Sequence, residues 1–399
     1  MQRKTEVSVL VSVKDFESIQ KAVNACYEQG GGTVFVPQGE WHSGPIHLKS
    51  NICLKLAEGS KIIFSSKRED YLPVVFTRWE GTECYNYSPL IYANGCENIK
   101  ITGKGILMGN GQDWWDWKNK QQPAADRLYE QAVLSIPVEQ RIFRTEKDAL
   151  RPSFLQTINC KDVLFEDFTI MDGPQWTIHP VYCKNVTVRN VTVISHGPNT
   201  DGLNPDSCQG VLVDGCVFNT GDDCIAINAG LNEDGWRIGK ECRDIEVRNC
   251  RMNGGHAAVA VGSPVSGGVQ NVHIHHCTVK DTMWGVKIKS IRGRGGYVRD
   301  IRFENISMEK IQREAIQISM FYEYNAITPK TDTPTKCSNI KISDINGSSL
   351  GTGIQIKGLP ECKLRDIYLE HISMRACQSM ECSEIENLSV KEVVINTEV

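Results

Sequence analysis

One short phrase recurs along the chain: an Asn, Asp or Gly, then an aliphatic residue, any residue, and a second apolar residue. Its first aliphatic stands at Ile99, Val163, Val186, Val211, Ile245, Val272, Ile301, Ile340, Ile367 and Leu388, and from Val163 onward the intervals run from 21 to 39 residues. Each copy reads as a short strand with aliphatics at i and i+2 on one face, too small to bury that face except against the next copy. A cysteine stands just before several copies (Cys96, Cys160, Cys183, Cys208, Cys242, Cys337), as a column of like residues stacked rung above rung would produce. The pattern predicts an all-β chain: a single right-handed parallel β-helix over 1–399, with about ten coils and no second domain. A β-sandwich would ask for hairpin turns every 8–12 residues, and two-residue Asn-Gly or Asp-Gly connections with paired flanks are few.

The two ends suit such a stack. Asp15 followed by Phe16, Ile19, Ala22, Val23 and Cys26 predicts an N-capped amphipathic helix over about 15–26, stopping before Gly30 and covering the open first coil. Alternation then disappears over about 111–151, where WWDWKNKQQPAADRLYEQ reads as a loop with some helix inserted into one coil. Its three tryptophans serve equally well as flat faces for a sugar or as a cluster pinning the insertion to the body.

Composition narrows the function. A formal charge of -4 and 40% hydrophobic residues describe a soluble globular protein whose field would attract neither nucleic acid nor an anionic membrane. No run of eighteen apolar residues is present. The N-terminus shows no small-residue cleavage site, and the sixteen cysteines contain no Cys-x-x-Cys pair. Reduced, mostly buried thiols in the cytoplasm are therefore expected, the alternative being a secreted or periplasmic protein whose leader has been removed. Nothing in the sequence points to a particular oligomeric state.

Against the repeat, polar residues fall in step. Asp201, in Asn199-Thr200-Asp201, is followed 21 residues later by Asp222 and Asp223. His256, Lys287 with Lys289, and Tyr322 follow at about 33, 31 and 33 residues, one enlarged coil each. Asp222 and His256 both stand eleven residues after their phrase's first aliphatic, so they should stack on neighbouring coils. Taken singly, these are ordinary turn residues, solvated lysines and a packing aromatic. Together they line one face with carboxylates whose mutual repulsion separates their pKa values, which is acid/base machinery. The basic run Lys287, Lys289, Arg292, Arg294, Arg299 would let an anionic sugar approach such a cluster.

Asn199-Thr200-Asp201, Gly221-Asp222-Asp223, Gly255-His256 and Ile288-Lys289, in that order and spacing, resemble the polygalacturonase-type glycoside hydrolases of family 28. WTIHPVYC at 176–183, with His179, and NEDGWRIG at 232–239 add a resemblance to the bacterial exo-acting members. The resemblance implies a right-handed parallel β-helix and hydrolysis of α-1,4-linked galacturonate with inversion; no His/Cys/carboxylate set with ligand spacing stands out, so no metal or other cofactor is expected. The resemblance also implies Asp222 as general acid, Asp201 and Asp223 as holders of the water, and His256 as the group tuning the acid's proton. Lys289, Lys287, Tyr322, Asn199, His179 and Arg294 would bind substrate. Two positions depart from the family pattern: Lys287 where Arg is usual, and Ala257 where Gly is usual. The added methyl at Ala257 would narrow the cleft floor or shift the backbone. A calcium-dependent pectate lyase on the same solenoid, an endo-acting hydrolase, and a β-helix binding module whose acids are mere turn residues stand as alternatives.

The free-thiol reading is checkable: titration under denaturing, non-reducing conditions should return about sixteen groups, and a count near zero would overturn it.

Overall fold

In a computed structural model, residues 9–322 and 332–397 are described; residues 1–8, 323–331 and 398–399 lie outside them. The ten aliphatics of the recurring phrase stand directly above one another in one parallel register, from Ile99 paired with Val163 up to Ile367 paired with Leu388. Three further rungs, Leu10–Ser12, Gly32–Val36 and Ile52–Leu56, precede them on the same face, so the stack is longer than the phrase count suggested. The architecture is a right-handed parallel β-helix.

The first residue of the phrase shows why the coils repeat. Asn98, Asp162, Asn185, Gly210, Asp244, Asn271, Asp300, Asn339, Asp366 and Asn387 all have φ between 52° and 71°. That left-handed corner is open to Gly and, among side chains, best tolerated by Asn and Asp. Their side chains also bond along the stack, as in Asn185 to Asp162 at 2.9 Å and Asn271 to Asp244 at 2.7 Å. A second left-handed corner follows on the same face, at Asp167, Asn190, Gly215, Asn249, His276, Asn305, Asp344 and His371. Its mixed residue types kept it from being read as a repeat.

A separate face carries the site. Its strands are Ile46–His47, Ile91–Asn94, Leu155–Ile158 and Ile178–Val181, then Ile225–Ile227, Ala257–Val261, Trp284–Lys289, Ile316–Ser319, Thr352–Lys357 and Gln378–Ser383. The coil bearing Leu203 and Asp206 joins the two groups through isolated bridges.

The capping helix spans Ile19–Glu28, and its cap is Ser18, whose Oγ accepts the Lys21 N–H at 3.2 Å. Asp15 instead ends a one-turn helix, Val13–Asp15, capped by Ser12. The insertion does hold helix, Gln112–Trp115 and Gln122–Val133. Its tryptophans pin it down: Trp114 and Trp117 are buried edge-to-face against each other and against Tyr71 and Tyr87, and the Trp115 indole donates to the Gly173 carbonyl at 2.9 Å.

An antiparallel hairpin, Val75–Trp79 with Thr82–Asn86, was not anticipated. Buried ion pairs fix it to the solenoid. Arg78 donates to Asp206 at 2.8 Å and Ser207 at 2.9 Å, and Arg141 of the insertion meets Asp234 at 2.7 Å. Asp234 also accepts the Glu83 N–H at 2.9 Å.

Side chains inside the solenoid stack as the strands do. Phe303 is 1% exposed between Ile274 and Ile342 on neighbouring coils. Phe303→Ala should cost about 3–5 kcal/mol, measured by urea unfolding, because rigidly spaced coils cannot close the void.

Candidate active site

The acids, the histidine and the lysine meet on successive coils. The Asp222 carbonyl accepts the His256 N–H at 3.0 Å, which sets the two residues one above the other as their phrase offset predicted. Their side chains then meet, His256 Nδ1 lying 2.9 Å from Asp222 Oδ1. The Asp223 carbonyl accepts from Gly202, bringing Asp201 to the same level. Asp223 Oδ1 accepts the Ala257 N–H at 2.8 Å, and Asp223 Oδ2 accepts from Lys289 Nζ at 2.7 Å. Asn204 donates to Asp201 at 2.8 Å, and Asn199 to Asp222 Oδ2 at 3.4 Å. Asp201, Asp223 and Lys289 are all buried, while His256 reaches solvent.

These contacts sort the titrations. Burial first, then the charges of Asp222 and Asp223, push the Asp201 carboxyl well above its usual range. Burial acts on Asp222 in the same direction. There, however, the hydrogen bond and charge of His256, with Lys289 and the Asp223 N–H, prevail and hold it down. His256 is raised in return, chiefly by its bond to Asp222. Asp201 and Asp222 are thus shifted in opposite directions, Asp201 toward its protonated form and Asp222 toward its ionised form. The expectation for Asp222 rested on carboxylate proximity, which takes no account of a cationic neighbour such as His256.

Two open cavities, of about 660 and 590 Å³, meet at Asp223, Lys289 and Tyr322. Toward the earlier coils the walls are Asn199, Trp176 and Arg294, with Glu80 from the hairpin tip and Lys118 and Tyr129 from the insertion. Toward the later coils they are Trp284, Lys287, Arg313, Gln317, Gln355 and Lys357. Lys287, Gln317 and Gln355 lie one above the next in register, as do Lys289, Ser319 and Lys357. The floor thus offers one pair of side chains per coil, and a chain lying along the axis passes them in turn.

Most predicted binders reach this cleft. Tyr322 stands with its ring 4.8 Å from Lys289 Nζ, and Arg294 is held by Asn232 Oδ1 at 2.9 Å. Lys287 sits with Nζ 3.2 Å from the Trp284 ring centroid. His179 does not reach the cleft: it is fully buried beneath Trp176, with Nδ1 2.9 Å from Gln156 and 3.0 Å from Ser153, so it supports the floor and cannot touch a sugar. Arg299 also lies elsewhere, bonded to Gln270. The Ala257 methyl does not narrow the floor; it is buried with Ala226 and Ala260 under Trp284.

Asp222, Asp223 and His256 each offer a ligand atom within 4.8 Å of the others, a cluster that sequence spacing did not suggest. Lys289 already supplies positive charge there, and its ammonium would repel a divalent ion. Glu80, Tyr129 and Arg151 were missed as neighbours of the acids. The Glu80-Gly81 pair between alternating stretches was the available signal for the hairpin that presents Glu80.

Comparison with known proteins agrees with this geometry. Residues 140–394 match the model for glycosyl hydrolases family 28, a span that contains Asp201, Asp222 and Asp223. A probable polygalacturonase of Vitis vinifera is 25% identical over 95% of this chain and 75% of its own. An exo-poly-alpha-D-galacturonosidase of Dickeya chrysanthemi is 26% identical over 86% of this chain and 61% of its own. The crystal structure of a hyperthermoactive exopolygalacturonase from Thermotoga maritima superposes with a TM-score of 0.93 at 34% identity, covering 97% of this chain and 92% of that one. The chain belongs to glycosyl hydrolases family 28 and is a glycoside hydrolase.

Proposed function

We propose that this enzyme is a polygalacturonase that releases single galacturonate residues from the non-reducing end of pectin-derived chains, with inversion. The observation that carries the reading is Lys289: a buried ammonium, 2.7 Å from Asp223 and facing Tyr322, set where the two cavities join. A sugar carboxylate entering three aspartates is repelled unless a cation accompanies it. Exo action is supported by the walls that the hairpin and the insertion raise on one side of the acids, while the other side runs on over open coils. The names of the Dickeya and Thermotoga relatives point the same way.

In this reading Asp222 protonates the leaving glycosidic oxygen. His256, bonded to Asp222 Oδ1, is the neighbouring store of a proton. Asp201 and Asp223 hold a water on the opposite side of the sugar and remove its proton as it attacks. An inverting site leaves about 6.5–9.5 Å between acid and base so that this water fits. A substrate carboxylate drawing on the Lys289 charge weakens one of the influences that hold Asp222 down, which favours the protonated acid. The departing chain lies over Lys287, Gln317, Gln355 and Lys357.

Early digests of oligogalacturonides, resolved by chromatography, should show monomer. A ladder of mid-sized oligomers would replace exo with endo action, and an ultraviolet-absorbing unsaturated product would replace hydrolysis with a lyase. Asp222→Asn should lower kcat by about a hundred- to ten-thousand-fold with the fold intact.

Lys287 gives a second test. Burial, and then the like charge of Lys289, push its ammonium down to about 7. Its charge is therefore present below that pH and lost above it, so KM for an anionic chain should rise as pH passes through 7. Lys287→Arg, charged throughout, should flatten the rise. An unchanged slope in that variant would remove Lys287 from substrate binding.

A further inference from the structure

Arg151, at the end of the insertion, is fully buried and places its guanidinium close behind the acids. Nε donates to Gln121 Oε1 at 3.0 Å, Nη1 to the Pro174 carbonyl at 3.1 Å and the Pro198 carbonyl at 2.6 Å, and Nη2 to Asn199 Oδ1 at 2.8 Å. The last bond sets the orientation of an amide. A guanidinium can only donate, so Asn199 must turn its oxygen toward Arg151 and its nitrogen away. That nitrogen faces Asp222 Oδ2 at 3.4 Å. The other oxygen of Asp222, Oδ1, is taken by His256 Nδ1 and the Asp223 N–H, each at 2.9 Å. The two carboxylate oxygens are thereby made unequal: Oδ1 is locked into the protein, and Oδ2, with one long contact, is left to serve the sugar.

We infer that Arg151 is a positioning residue for the acid, acting through Asn199 to hold the Asp222 carboxyl with Oδ2 turned toward the glycosidic oxygen. Without the fork, the Asn199 amide is free to turn over and present its oxygen to the carboxylate, where acceptor meets acceptor and the carboxyl rotates away. Because Gln121 comes from the insertion, and the Arg151 carbonyl accepts the Trp79 indole N–H of the hairpin at 3.2 Å, the elements that wall the cleft also orient its acid. The inference rests on the assignment of Asp222 as that acid.

A double-mutant cycle tests it. Arg151→Lys keeps the charge but cannot reproduce the fork. It and Asn199→Ala should each lower kcat by about ten- to a hundredfold, as small misplacements of reacting groups do, with little change in KM. Arg151→Lys with Asn199→Ala should be no slower than the slower single variant, since both break one chain of contacts. Losses that multiply, or that fall on KM alone, overturn the inference. Should Arg151→Lys fail to fold, as judged by thermal melting, Gln121→Ala loosens the same guanidinium. Its smaller loss in kcat should then vanish in the Asn199→Ala background, and persistence there overturns the inference equally. Asp222→Asn separates this failure from that of the underlying assignment: if that variant stays active the acid is misassigned, whereas a dead Asp222→Asn with multiplicative losses removes Arg151 alone.

Discussion

The left-handed corner at the start of every phrase is the constraint on which the rest of this structure depends. It turns each coil at the same point, so the next strand arrives in parallel register about 4.8 Å above the last. Distance along the chain then loses its usual meaning. Asp222 and His256 are 34 residues apart and hydrogen-bonded; Asp223 and Lys289 are 66 apart and ion-paired. A catalytic face can be assembled this way from a few side chains per coil, each on or just before a strand whose inward neighbours are locked in a common core.

Charge buried on such a face is tolerated only where it is paired, because removing a partner from a buried pair leaves an uncompensated ion. Two buried networks meet that condition. One joins Arg78 to Asp206 and Ser207 and Arg141 to Asp234, anchoring the hairpin and the insertion to the stack. The other is the site itself, where Lys289, His256 and Asn199 divide three carboxylates into unequal members. The first network decides the shape of the cleft's end, and the second shifts Asp201 and Asp222 in opposite directions.

Several positions look alike in sequence and behave differently in space. His179, inside the strand Ile178–Val181, and His256, just before the strand Ala257–Val261, are both histidines of the site-bearing face; the first is sealed beneath Trp176 and the second opens to solvent beside Asp222. Lys287 and Lys289 are two residues apart on one strand and share a face. Burial drives the Lys287 ammonium down to about 7. Lys289 is raised, because the charge of Asp223 overcomes its burial. Trp114 and Trp117 pack inward as anchors, and Trp176 lines the cleft. In each case the distinction is desolvation and the identity of the nearest charge, neither of which is carried by residue type.

The sequence by itself determined the solenoid, its axial register and the set of coils that carry the chemistry. Those follow from local rules: alternation of aliphatics, and a left-handed corner that only Gly, Asn or Asp occupies at low cost, repeated often enough to declare their period. It also named the three acids, the histidine and the lysine, because stacked coils convert equal offsets into neighbours. Only the tertiary structure decided what surrounds that face. The hairpin at 75–86, the fork of Arg151 behind Asn199, the wall that Glu80, Lys118 and Tyr129 raise at one end, and the opposite shifts of Asp201 and Asp222 all arise between segments with no shared period. Their contacts are set by packing and by the balance of desolvation against nearby charge, which exist only once the coils and the insertion lie against each other.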